Sequence, residues 1–92
     1  MRKIAGKEPK NLKAKIWREL AGYDPLANNE FDFDGCVEKI ALVYGVSADE
    51  VVEELDLAEV FPVFMDCIRF VNSLVLSKLD EAPKNGESVQ QE

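Results

Sequence analysis

The feature that most constrains this chain is one apolar run near its C-terminus, from Leu57 to Leu79. Its hydrophobic residues recur at steps of four and three, which predicts a long helix with a continuous apolar stripe. The stripe consists of Leu57, Phe61, Phe64, Ile68, Val71, Val75 and Leu79. A second apolar surface lies beside it, so most of the circumference of this helix needs covering.

Three shorter helices precede this run and are candidates to cover it. We predict them over residues 11–21, 33–45 and 47–55. Asn11 is the predicted N-cap of the first helix, and Ser47 begins a capping box with Glu50 at the start of the third. Because 92 residues bury only a modest core, two outcomes remain open. The long helix is either wrapped completely by its own chain, or it keeps an apolar face for a protein partner.

The predicted architecture is all-α: a small four-helix domain with a long apolar C-terminal helix, here 57–79, and mobile termini. Residues 1–10 are predicted to form a basic flexible arm, 11–79 the helical domain and 80–92 a disordered polar tail. The charge is unevenly placed, since residues 1–18 carry seven of the eleven basic groups of a chain with net charge −7. Pro62, early in the long helix, predicts a bend or a shifted start there.

The residue inventory argues against catalysis and cofactor binding. The chain has no histidine, which removes the commonest general base and the commonest transition-metal ligand. Cys36 and Cys67 lie within apolar periodic segments and are predicted to be two reduced core thiols. No glycine-rich phosphate loop is present. We therefore expect no enzyme activity, no cofactor, no metal site and no small-molecule substrate.

Two other kinds of partner, a membrane and DNA, fit the residues less well. The apolar run is long enough to span a bilayer, but its charges and Pro62 make a membrane span improbable. The second and third helices, joined by a Gly45-Val46-Ser47 turn, resemble a helix-turn-helix regulator. The presumed recognition helix carries four acidic residues and no basic residue: Asp49, Glu50, Glu53 and Glu54. Carboxylates repel phosphates, so we expect neither nucleic-acid nor membrane binding.

Three segments together resemble the tail assembly chaperones of long-tailed bacteriophages and prophages, especially those of Gram-positive hosts. The first is Lys13-Ala-Lys-Ile-Trp-Arg-Glu-Leu20. The second is Ile40-Ala-Leu-Val-Tyr-Gly-Val-Ser-Ala-Asp-Glu-Val-Val-Glu-Glu-Leu55. The third begins with Asp56-Leu-Ala-Glu-Val-Phe-Pro-Val-Phe64 and continues through Leu79. The pattern consists of helix caps and apolar positions without a distinctive chemical signature.

The resemblance implies a small, self-associating helical chaperone in the cytoplasm of the bacterial host. Such a protein binds the tape measure protein before the major tail protein polymerises around it, and is absent from the mature virion. Aromatic and Met-bearing helix surfaces suit this role because they exchange partners readily. The predicted partner-binding residues are Trp17, Phe61, Phe64, Met65, Phe70 and Leu74. The alternatives are a helix-turn-helix-like transcriptional regulator and a protein-binding adaptor.

Overall fold

The computed structural model describes residues 1–9 and 12–81, with side chains as far as Ser77. The helices found in these residues are α1 (Ala14–Ala21), α2 (Phe33–Tyr44), α3 (Ala48–Glu54) and α4 (Val60–Glu81), and a short 3-10 helix (Leu57–Glu59) precedes α4. The predicted all-α domain with a long apolar C-terminal helix is therefore confirmed. Asn11, the predicted cap, lies outside the described residues, as do residues 82–92 of the predicted tail. The tail was predicted to begin at residue 80, but residues 80 and 81 belong to α4.

Local capping chemistry sets the boundaries of α2 and α3. Gly45 ends α2 in the left-handed conformation at φ 71°, which costs glycine less than any other residue. Ser47 Oγ accepts a hydrogen bond from the Glu50 amide at 3.1 Å, and Glu50 Oε1 accepts one from the Ser47 amide at 2.9 Å. This reciprocal pair confirms the predicted capping box. The backbone hydrogen bond also lowers the pKa of the Glu50 carboxyl.

The start of α4 is shifted, as Pro62 predicts. Asp56 and Glu59 form a second capping box, which opens the 3-10 helix. The α-helix proper begins at Val60, so that Pro62 is its third residue. The first amides of an α-helix have no acceptor within the helix, and a proline there loses no hydrogen bond. The first helix is likewise shorter than predicted, since it begins at Ala14 after an extended Lys13.

The core forms where α2 packs against α4. Four apolar residues of α2 at helical spacing are all buried: Val37, Ile40, Ala41 and Tyr44. The buried residues of α4 are Val60, Val63, Phe64, Cys67 and Val71. Cys36 and Cys67 are both buried and free, as predicted. No buried residue of α4 follows Val71 among those whose side chains are described, so the core covers only the first half of this helix.

The first nine residues also contribute to the core. Ile4 and Lys7 exchange two backbone hydrogen bonds, at 3.0 and 2.9 Å, across a turn with positive φ at Ala5 and Gly6. The Ile4 side chain is 0% exposed, and the Tyr44 hydroxyl donates to the Arg2 carbonyl at 2.8 Å. We predicted a flexible arm over residues 1–10. The structure places residues 1–9 against the domain, because Ile4 supplies apolar volume that the short helices lack.

Gly35, in the first turn of α2, is predicted to be the glycine least tolerant of a side chain. An added Cβ would collide with the Asp32 carboxylate and the Tyr23 hydroxyl. Asp32 is the N-cap of α2 and accepts from the Gly35 amide at 3.0 Å. We expect Gly35→Ala to lower the free energy of unfolding by about 1–2 kcal/mol, through displacement of this cap.

Gly22→Ala is the matched control for this substitution. Nothing lies within 4 Å of a Cβ built at Gly22, and its φ of −100° suits any residue. We expect its effect to stay within about 0.5 kcal/mol. Urea titrations followed by circular dichroism give both values. Equal effects at the two positions would contradict the cap arrangement.

Candidate binding groove beside the fourth helix

An apolar groove of about 430 Å³ runs between α1 and the first half of α4. The loop 22–32 closes one end of it, because Tyr23 contacts Phe64 and Phe31 contacts Phe61 near the start of α4. Its walls are Trp17, Leu20, Ala21, Tyr23, Pro25, Phe61, Phe64, Met65, Ile68, Val71 and Asn72. Apart from the Asn72 amide, the Tyr23 hydroxyl and the Trp17 indole nitrogen, these side chains offer only apolar surface. Such a groove suits hydrophobic side chains of another molecule.

Aromatic contacts build the closed end of the groove. The Tyr23 ring meets the Phe64 ring edge to face at a centroid distance of 5.6 Å. Phe61 lies 6.3 Å from Phe64 and 5.8 Å from Phe31. Offset and edge-to-face pairs of this kind each add about 0.5–1.5 kcal/mol beyond the area that they bury. The closed end is therefore preformed by the chain itself.

Polar contacts on the outer side of the closed end hold the Tyr23 side chain in place. The Tyr23 hydroxyl donates to the Asp32 carboxylate, with Oδ2 3.0 Å away. The Lys39 ammonium lies over the Tyr23 ring, 4.8 Å from its centroid. Burial, and then the Asp32 contact, raise the pKa of the Tyr23 phenol. The hydroxyl therefore stays protonated at neutral pH and remains a donor, and the loop is tied to α2 through Asp32.

The structure divides the six predicted partner-binding residues into two groups. Trp17, Phe61, Phe64 and Met65 all line the groove. Trp17 is 41% exposed and Phe61 40%, whereas Phe64 is 2% exposed and belongs to the core. Phe64 thus forms the floor of the groove and has almost no surface to offer a partner. Aromatic character alone does not separate Phe64 from Phe61, since only the position of neighbouring elements decides which one is covered.

Phe70 and Leu74 lie away from the groove. Phe70 follows Phe61 by nine residues, about two and a half helical turns, so that the two side chains leave opposite sides of α4. Leu74 belongs to the part of α4 that extends past the core. In that part Leu74, Val75 and Leu76 are 40%, 38% and 58% exposed. This uncovered apolar segment, Leu74–Leu76, is called the overhang below.

The apolar helix is covered by the core only in its first half. By length and mean hydropathy (1.5), the Leu57–Ser77 segment meets the simple criteria for a membrane span, and 28% of the residues in the stretch that meets them are buried. Those criteria are also met by core helices of proteins that do not enter membranes. An Asp66–Arg69 ion pair, 2.6 Å long, lies on the outer side of the helix, where it would face lipid in a span.

Charge is separated around the groove. Lys15 and Arg18 on α1, and Lys13 just before it, are exposed, and none has a carboxylate within 4.0 Å among the described side chains. Glu19 is the one acidic residue of this helix. The loop 22–32 contains no basic residue, and its acidic residues are exposed: Asp24, Glu30 and Asp32. The exposed surface of α3 is also acidic. One flank of the groove is therefore positive and its closed end is negative.

The groove offers binding surface and lacks reactive groups. Within the described part of the chain, no cluster of three Cys, Asp or Glu side chains is placed to hold a metal ion. Cys36, behind Tyr23, is buried, and burial raises the pKa of its thiol. A thiol kept protonated in this way is a poor nucleophile. The arrangement can exclude water from an apolar ligand and orient it by charge.

Several groove residues were not predicted as binding residues. Tyr23 follows Gly22 in a turn-forming segment, and Ile68 was assigned only to the helix stripe. Phe31, just outside the groove, is 41% exposed and packs on Phe61. One signal was available for Tyr23, since a bulky aromatic residue inside a polar turn needs an apolar surface to cover it. Its partner, however, depends on tertiary packing.

Alkaline pH is expected to destabilise this fold through Cys67. Burial raises the pKa of its thiol to about 12, and burial likewise raises the pKa of Tyr44 to about 12. Groups with a raised folded-state pKa contribute fully below their unfolded-state pKa and lose that contribution as the pH rises through the folded-state pKa. We expect the free energy of unfolding to fall by up to ~1.4 kcal/mol per pH unit and group, starting near pH 9 for Cys67.

Urea midpoints at about pH 8 and pH 10.5, in a phosphine reductant, measure this loss. The variant Cys67→Ala should show a smaller drop between the two pH values, because only Tyr44 then contributes among these two groups. A wild-type midpoint that does not change would contradict the burial of Cys67.

Comparisons of the chain with protein-family models, curated proteins and solved structures found no match.

Proposed function

We propose that this protein is a tail assembly chaperone of a long-tailed phage or prophage, which self-associates and binds the tape measure protein during tail assembly. One observation carries the proposal: Phe61, Leu74, Val75 and Leu76 of α4 are each at least 38% exposed, and a preformed apolar groove lies along the first half of this helix. Apolar surface exposed in this way fits a protein whose task is to bind another protein. The proposal includes the major tail protein as a second partner and the host cytoplasm as the site of action.

A long helical client suits the groove chemically. A helix presents apolar side chains at every third or fourth position, and such a stripe fills a groove between two helices. Met65 and the aromatic residues beside it adapt to different side chains at little cost. The basic residues of α1 would favour client segments with acidic flanks.

The helix-turn-helix alternative finds less support. The turn between α2 and α3 has the spacing of such a motif, but α3 has only seven residues. Its exposed face carries Asp49, Glu50, Glu53 and Glu54, which would face DNA phosphates. A protein-binding adaptor would use the same groove as a chaperone, and the identity of the client separates these two functions.

Co-expression with the tape measure protein of the same tail gene cluster tests the proposal. We expect this protein to increase the soluble fraction of tape measure protein several-fold and to co-purify with it. Phe61→Lys places a charge in the groove at a side chain that is 40% exposed, and should remove the effect. Val52→Lys changes a 45% exposed residue on α3 and is the matched control.

Two results would count against the proposal. Tape measure protein that aggregates equally with and without the wild-type chain would contradict it directly. If Phe61→Lys still keeps tape measure protein soluble, the client binds somewhere other than the groove. Gel shifts with random DNA at low salt examine the alternative, because tight binding that falls steeply with salt is expected only of a nucleic-acid-binding protein.

A further inference from the structure

We infer that the groove of one copy receives the overhang of a second copy, so that two chains form a closed antiparallel dimer through α4. This inference rests on the proposed function only in so far as that function includes self-association. It adds the residues and the geometry of the contact. The overhang and a client helix would occupy the same groove, so a client would bind by displacing the second copy.

The first argument is that α4 carries both halves of a complementary pair. Its N-terminal half forms one wall of a concave apolar groove, and its C-terminal half is a convex apolar segment that no described part of the chain covers. Exposure of both on one small domain costs about 25 cal/mol for each Å² of apolar surface left in water. In a dimer, the overhang of each copy covers the groove of the other copy.

The second argument is the spacing of the stripe. Phe61, Ile68 and Val75 recur every seven residues, so they lie on one face of α4. Phe61 and Ile68 line the groove, and Val75 continues the same face at 38% exposure. When two such helices run antiparallel about Ile68, Val75 of each copy meets Phe61 of the other. A contact of this kind is isologous and closes at two chains.

The third argument is charge. The acidic loop 22–32 flanks the Phe61 end of the groove, and the basic helix α1 flanks the remainder. An antiparallel second copy therefore brings α1 of each chain toward the acidic loop of the other. Lys13 and Arg18 are exposed without described carboxylate partners, and the loop offers Asp24 and Glu30. A parallel arrangement would instead bring like charges together.

The chain's own C-terminal segment is a poor competitor for the groove. Residues 82–92 read Ala-Pro-Lys-Asn-Gly-Glu-Ser-Val-Gln-Gln-Glu. Val89 is the one sizeable aliphatic side chain among them, whereas the groove needs several apolar side chains at helical spacing. A second copy offers Phe61, Ile68 and Val75 at seven-residue spacing on one face of α4.

Size-exclusion chromatography with light scattering, over a wide range of concentrations, tests the dimer. We expect the wild-type mass to rise to twice the 10.3 kDa of one chain and to stop there. Phe61→Lys and Val75→Lys should each raise the dissociation constant at least ~10-fold, because a charge then enters an apolar contact. Val52→Lys should leave it unchanged. Thermal melts by circular dichroism confirm that all three variants remain folded.

Mixing interface variants of opposite charge tests the symmetry. In a heterodimer of Phe61→Lys with Val75→Glu, one of the two groove contacts joins two wild-type surfaces and the other places a lysine opposite a glutamate. The mixture should therefore form dimers at concentrations where each variant alone is monomeric. Lack of recovery, or species that keep growing with concentration, would overturn the closed antiparallel arrangement.

The outcome also separates this inference from the proposed function. A wild-type chain that stays monomeric while it keeps tape measure protein in solution overturns the dimer and leaves the chaperone proposal standing. A dimer with the expected variant effects that does not bind tape measure protein supports the dimer and counts against the chaperone.

Discussion

Replacement of Phe64 by alanine is expected to lower the free energy of unfolding by about 3–5 kcal/mol. Phe64 is the largest of the fully buried side chains, at 2% exposure, and its ring contacts Tyr23 and Phe61 at once. Its loss leaves a cavity between α4 and the loop 22–32 and also removes the floor of the groove. In a domain of this size, such a loss is a large share of the total stability.

The neighbouring phenylalanine provides the control for this prediction. Phe61 is 40% exposed and lies three residues away on the same helix, so Phe61→Ala removes an aromatic ring without opening a core cavity. We expect it to cost about 1 kcal/mol and to weaken partner binding more than folding. Urea unfolding of the two variants gives the comparison, and equal losses of stability would contradict the different burial of the two rings.

Replacement of Ile4 by alanine is expected to cost about 2–5 kcal/mol, although the residue lies close to the N-terminus. Its side chain is 0% exposed within the core. The segment around it is tied down by the Tyr44 hydroxyl and by an Arg2–Glu59 ion pair at 2.7 Å. That ion pair is largely exposed and adds little, so the buried isoleucine provides most of the attachment.

Lys3→Ala is the matched control, since Lys3 is exposed and adjacent to Ile4 in sequence. We expect its effect to stay within about 0.5 kcal/mol. If Ile4→Ala were equally mild, residues 1–9 would be a detachable arm, as the sequence alone suggested, and the core would be complete without them. Hydrogen exchange at the Lys7 amide, which donates to the Ile4 carbonyl at 2.9 Å, provides a second measurement.

The helices could be predicted because their signals are local. Gly45, Ser47 with Glu50, and Asp56 with Glu59 act within one turn of the chain, and the structure confirms each of these boundaries. The role of Ile4 could not be predicted in this way. A single isoleucine among basic and small residues has no period, and its burial depends on a gap between α2 and α4 that only the folded domain defines.

The groove was only partly predictable for the same physical reason. A stripe at steps of four and three identifies the apolar faces of α4, but it does not say which face α1 leaves open. Trp17, Phe61 and Met65 were predicted as partner-binding residues, and the structure brings them together beside one groove. Phe70 lies apart from Phe61 because a step of nine residues places it on the opposite side of α4. Tyr23 lines the groove because its ring packs on Phe64, which is distant in the sequence.

The emission of Trp17 tests the central claim, that this groove is the binding surface, most directly. Trp17 is the only tryptophan in the chain, lines the groove and is 41% exposed, so its fluorescence reports whether the groove is filled. Emission and mass should be recorded together over one dilution series, without and with tape measure protein. The account predicts a shift to shorter wavelength that follows complex formation. Complexes that form while the emission stays constant would contradict it.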